Sequence, residues 1–109
     1  MREADDVARY EITNEPAQID FEEKEYVRRT VQNAKNLLMT RMGEVPYDRL
    51  RGFDHSLFDL PMTEFRARLM PEIDRVLLWE PDAEAVSAEA NRREDGGTLI
   101  KVIIEVREG

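Results

Sequence analysis

The feature that most constrains this chain is a change of hydrophobic period at residues 78–81, Leu78-Trp79-Glu80-Pro81. Upstream, Met62, Phe65, Leu69, Ile73 and Val76 recur at spacings of three and four, which places them on one face of a helix. Downstream the period is two. Pro81 disfavours helical geometry at Glu80, so the chain must leave the helix extended, with an indole and a carboxylate fixed at the corner. A helical layer must therefore hand over to a sheet layer here. So constrained a corner is a candidate place to bind a partner.

Reading outward from the corner predicts the remaining elements. The second long helix spans about residues 61–79 and carries Pro71 inside it; because the apolar spacing continues past Pro71, a kink or two abutting segments on one line are expected and not a change of direction. Residues 83–91 and 98–107 flank Asp95-Gly96-Gly97, a hairpin turn signal. Within the last segment Ile100, Val102, Ile104 and Val106 share one strand face, expected to be core, and the other face is expected to be half-exposed. The first long helix is equally legible. Asp20 and Glu23 fit a capping box; Val27, Val31, Ala34 and Leu38 form an apolar stripe flanked by Tyr26, Thr30 and Leu37, while Arg28, Gln32 and Lys35 are expected to point away. Gly43 is expected to supply the left-handed residue that ends this helix. Residues 10–13 and 18–21 read as short extended segments around Asn14-Glu15-Pro16, residues 54–58 as a helical turn, and residues 1–9 as a mobile lead-in to a single domain over 10–109. The loop between the helices uses Gly43, Pro46 and Gly52, so its backbone path is tightly dictated.

Composition excludes several functions. The 109 residues suffice for one core. With no cysteine and one histidine there is no disulfide framework, no thiolate nucleophile and no His-rich or thiolate metal site, and no cofactor is expected. Charged residues make up 37% of the chain and no apolar run approaches the about 20 residues of a spanning helix, so membrane insertion is not expected. A net charge of −8 argues against nucleic acid, which requires concentrated positive charge. That charge is unevenly spread. Residues 1–26 hold nine acids against three bases, whereas residues 27–41 hold Arg28, Arg29, Lys35 and Arg41 with no acid. Such a split usually marks a solvated helix face, and it can also orient one subunit on another.

Two stretches carry a family resemblance: residues 36–46, Asn-Leu-Leu-Met-Thr-Arg-Met-Gly-Glu-Val-Pro, and residues 79–81, Trp-Glu-Pro. In order and separation they resemble the baseplate wedge family of contractile phage tails and type VI secretion systems. The resemblance spans about residues 19–106 and rests on Thr40, Gly43, Glu44 and Pro46 in the loop and on Trp79, Glu80 and Pro81 at the corner. It implies an α+β fold, with two main helices packed on a small mixed sheet and a C-terminal hairpin. It also implies a structural role, in which the protein links the wedge to the sheath and starts sheath assembly by β-strand addition. Implied partners are wedge proteins and the sheath protein, with the tube or hub as further neighbours. Implied locations are the host or producer cytoplasm during assembly and then the assembled baseplate. The strand bearing Ile100, Val102, Ile104 and Val106 becomes the candidate sheath-facing strand, and residues 79–82 the candidate wedge-facing corner. One position departs from the pattern: the family's Glu-Pro-Arg is Glu80-Pro81-Asp82 here, a charge reversal that requires the matching wedge surface to present a cation or an N–H group.

Two further classes compete with that reading. A soluble regulatory adaptor of the same fold would need only an acidic surface for its partner. The other is a hydrolase. Glu80 beside an indole suggests a general acid for glycoside hydrolysis, and some members of the family have carried a lysozyme-like label. Among 24 acidic residues, however, a suitably spaced pair is almost guaranteed and carries no specificity. His55 with Ser56, Asp54 and Asp59 lacks a nucleophile-elbow context, so His55 reads as structural and no catalytic residue is assigned. At the corner, Trp79 is expected to cap the apolar face of its helix. Glu80 is expected to be better buried than Asp82 and to need a hydrogen-bonded or cationic partner.

Overall fold

The computed structural model describes residues 7–16 and 25–107. The order of elements is β1 (Val7–Thr13), α1 (Glu25–Met39), a 3-10 turn (His55–Asp59), α2 (Met62–Val76) running into a second 3-10 turn (Leu77–Trp79), β2 (Ala83–Arg92) and β3 (Thr98–Arg107). The fold is α+β: two helices pack on a three-stranded sheet of order β1-β3-β2, and β2 and β3 form a hairpin. Both pairings are antiparallel, so the described sheet is not mixed. The extended segment expected at residues 18–21 and the capping box at Asp20 lie outside the described residues.

β3 occupies the centre because it alone has a face apolar enough to be covered completely. Ile100, Val102, Ile104 and Val106 are each fully buried. Against them pack Val27, Val31, Ala34, Leu37 and Leu38 of α1 and Phe65, Leu69, Ile73 and Val76 of α2, the stripes that the helical spacing predicts. α2 runs as one helix through Pro71. β1 begins at Val7, three residues inside the segment expected to be a lead-in, because its register with β3 runs from Val7↔Arg107 to Thr13↔Lys101. Asn14 extends that pairing with its side chain: Nδ2 donates to the Thr98 carbonyl at 3.0 Å and Oδ1 accepts from the Ile100 N–H at 3.0 Å. The β2–β3 turn closes through Arg93 N to Gly97 O at 2.7 Å and Gly96 N to Arg93 O at 3.0 Å. Gly96 is left-handed (φ 92°), and the Asp95 carboxylate accepts from the Gly97 N–H.

Lys35 is the main departure from the helical reading. It is only 5% exposed, and its Nζ donates to the carbonyls of Thr13 at 2.8 Å and Glu15 at 2.5 Å. Burial lowers its pKa below the usual lysine value, and the two carbonyls give the buried charge its partners. Gly43 is left-handed (φ 94°) as expected, yet α1 ends at Met39 and the glycine shapes a turn beyond it, where the Glu44 N–H donates to the Arg41 carbonyl at 3.0 Å.

Gly52 has the stricter requirement. Its φ is 101°, and a Cβ built there would lie 2.5 Å from the backbone oxygen of Thr40. That closeness follows from a short backbone ladder in which Phe53 N donates to Thr40 O at 2.7 Å and Met42 N to Phe53 O at 2.9 Å. Gly52→Ala is expected to lower unfolding stability by about 1–3 kcal/mol or more, since strain at a left-handed residue and displacement of Thr40 add. Gly43→Ala, which meets nothing within 4 Å, should cost less. Urea unfolding of the two variants checks the order; equal losses would remove the special role of Gly52.

Candidate functional site

The corner after α2 is closed by contacts within the chain. The Leu77–Trp79 turn ends with the Glu80 N–H donating to Leu77 O at 2.9 Å, and the Ala83 N–H donates to Glu80 O at 3.1 Å, which directs the chain into β2. Glu80 is 7% exposed, whereas Pro81 and Asp82 are exposed. Its Oε1 accepts from Nδ2 of Asn33 in α1 at 3.1 Å, and its Oε2 accepts from the Asp82 N–H at 3.2 Å. Glu80 is thus the better-buried acid, as its neighbours imply, but its partners are intramolecular. A carboxylate holding an amide and a backbone N–H in this way ties α1 to the start of β2.

Trp79 is half-buried against the core, and its Nε1 donates to Oδ2 of Asp48 at 2.7 Å. The same Asp48 oxygen accepts from Nε of Arg51 at 3.1 Å. The indole of the corner thus fastens the loop two residues beyond the stretch that holds Thr40, Gly43, Glu44 and Pro46. Within that loop Thr40 Oγ1 donates to Asn36 O at 2.7 Å, and Glu44 Oε1 accepts from the Arg41 N–H at 2.9 Å. Pro46 is exposed. These residues shape the backbone and hold no ligand geometry of their own.

A clamp on the far side of the loop has no counterpart in the sequence reading. Arg75 of α2 donates through Nη1 to Leu50 O and through Nη2 to Gly52 O, both at 2.6 Å. Glu72, one turn earlier, accepts from Arg75 and from the Asp54 N–H at 2.8 Å. The guanidinium is held charged, its pKa raised chiefly by the hydrogen bond to Glu72. An acid and a base at i,i+3 was the only available signal, and that spacing ordinarily marks a solvated pair. Here the pair clamps a loop whose tip presents Tyr47, fully solvated, and Leu50, 63% exposed.

The candidate sheath-facing strand is corrected as well. Ile100, Val102, Ile104 and Val106 are all in the core, and β3 is paired on both sides, so it offers neither an accessible face there nor a free edge. Among the described residues the free edges belong to β1 and β2. Hydrogen-bonded and non-hydrogen-bonded pairs alternate in an antiparallel ladder, so the Asn14–Ile100 contact and the Arg107 N to Asp82 O bond (3.4 Å) fix which groups face outward. They are those of Arg9, Glu11 and Thr13 on β1 and of Ala83, Ala85, Ala88 and Ala90 on β2. Each edge carries one basic side chain from the helix above it: Lys35 on the Thr13 carbonyl, and Arg66, whose Nε donates to the Ala90 carbonyl at 3.1 Å.

Among the described residues no group of three or more His, Cys, Asp or Glu residues is placed to hold a metal ion, and no helix is long and apolar enough to cross a membrane. His55 packs edge-on against Phe53 and Phe58, at ring separations of 6.2 and 5.1 Å. The Asp82 carboxylate raises the phenol pKa of Tyr26, at the start of α1. No family model, curated protein or solved structure matches the chain.

Two predictions follow from this packing. Glu80→Ala is expected to lower stability by about 1–3 kcal/mol, because it removes the acceptor that the Asn33 amide and the Asp82 N–H share at a buried carboxylate; a normal thermal midpoint would make the corner dispensable to the fold. His55 is expected to titrate below 6.5, since burial and the Arg41 charge together outweigh Glu44 and Asp54. A depressed folded-state pKa means stability that is fully present above pH 6.5 and lost as pH falls through the folded value. An NMR titration of the single imidazole measures that value directly, and His55→Asn should remove this part of the acid sensitivity.

Proposed function

We propose that this protein is a structural component of the baseplate of a contractile phage tail or related injection system, joining wedge to sheath and starting sheath assembly by strand addition. The observation that carries the reading is the sheet: its apolar face is spent on the helices, so what the described sheet has left to offer a partner is its half-exposed second face and a pair of strand edges. Unpaired N–H and C=O groups on an edge are a template for another chain, and adding a strand satisfies both partners. The tie from Trp79 to Asp48 supports the reading, because it makes the corner and the loop just beyond the first motif one unit at one end of α2. Wedge contact is best supplied by exposed groups around that unit, Pro81, Asp82 and the loop tip at Tyr47 and Leu50, and not by Glu80.

Mass spectrometry of contractile particles purified from the producing cells is expected to find this chain. Deleting its gene is expected to leave tubes and wedges without sheath. Particles that lack the chain, or full-length sheaths assembled without it, would overturn the proposal.

A further inference from the structure

The geometry points to the first half of β2, residues 83–88, as the edge that accepts a partner strand, and to a strand of alternating apolar and basic residues as its occupant. This inference rests on the strand-addition reading and specifies the site and chemistry.

The argument begins with the edge groups. By the alternation of the ladder, Ala83 O and the N–H and C=O of Ala85 point away from β3. The second half of β2 is different. Beyond the bulge between Ala85 and Ser87, Arg66 occupies the Ala90 carbonyl. On the opposite side of the sheet, Lys35 occupies the Thr13 and Glu15 carbonyls at the end of β1. Basic side chains thus cover part of each edge, whereas residues 83–85 open into a groove beside the end of α2.

The groove specifies what would fill it. Met70 and Leu78 form its apolar side, and Leu78 is 72% exposed, unusual for a leucine at the end of a core helix. Asp74, Asp82 and Glu84 line it with negative charge, against a single base, Arg107. A strand added to β2 turns alternate side chains to its two faces. Those on the helix side meet Met70 and Leu78.

Those on the other side meet an unfinished row of charges. Arg9, Glu105 and Glu84 are direct cross-strand neighbours, and Arg9 bonds Glu105 at 2.9 Å. Arg9 thus pairs with the inner of two adjacent carboxylates, and Glu84 is the outer one. Like charges directly opposite are unfavourable, so a lysine or arginine beside Glu84 on an added strand completes the alternation. Glu89 needs no such help, because Lys101 lies across from it.

A short synthetic peptide alternating lysine and valine, titrated into the labelled protein and followed by NMR, tests this. Amide shifts are expected at residues 83–88 and around Leu78. Ala85→Pro, which removes an N–H not bonded to β3, and Glu84→Lys should each weaken binding by about tenfold or more, the equivalent of one net hydrogen bond or ion pair. Glu11→Pro, the matching change on the β1 edge, should leave it unaltered, and an alternating glutamate–valine peptide should not bind. Circular dichroism establishes that each variant is folded, and Glu84→Lys, a surface change, carries the test should Ala85→Pro unfold. Shifts confined to residues 9–13, equal binding of the acidic peptide, or no binding of either would overturn the inference. The proposed function is judged separately by particle composition, and sheath growth blocked by Glu11→Pro but not by Ala85→Pro would overturn the choice of edge while sustaining strand addition.

Discussion

The structure depends on complete burial of one face of β3. Four β-branched residues on a central strand must be covered, and one helix is too narrow to do so. α1 and α2 therefore lie on the same face, their stripes meeting over Ile100, Val102, Ile104 and Val106. Burial of a Val or Ile side chain contributes about 1.5–3 kcal/mol, so this layer outweighs any single polar contact in the molecule. Its consequence for function is negative and informative. The apolar strand that looks in sequence like a docking surface is consumed by the fold, and what remains for partners is edges, loops and charge.

The polar contacts then fix how the covered sheet is finished. Glu80 ties α1 to the entry of β2, Trp79 fastens the loop through Asp48, and Glu72 with Arg75 holds the opposite side of the same loop. Each is a charged or indole group with its hydrogen-bonding capacity met inside the chain, the condition under which burying such a group is tolerated. A loop held at both ends presents Tyr47 and Leu50 without losing much conformational entropy on binding, which makes its tip a reasonable contact for a rigid assembly.

Lys35 and Arg66 play a different part. Both reach from a helix to a carbonyl on an outer strand, one at each side of the sheet. Edges guarded in this way resist indiscriminate pairing, since an incoming chain must displace a charge-assisted bond.

Much of this fold was legible in local pattern. The helical stripes, the period-two face of β3, the Asp95-Gly96-Gly97 turn and the break at Pro81 all report on neighbours within a few residues, and backbone geometry couples such neighbours directly. The antiparallel pairing of β1 with β3, the partner of Glu80 and the clamp on residues 50–54 depend on groups many tens of residues apart, which no periodicity encodes. Lys35 shows the boundary most clearly. It follows Val31 by four residues and precedes Leu38 by three, so spacing alone admits it to the apolar face, while its charge argues for solvent. Only the tertiary structure decided the matter, because a buried ammonium is stable where carbonyls await it, and those of Thr13 and Glu15 arrive from the far end of β1.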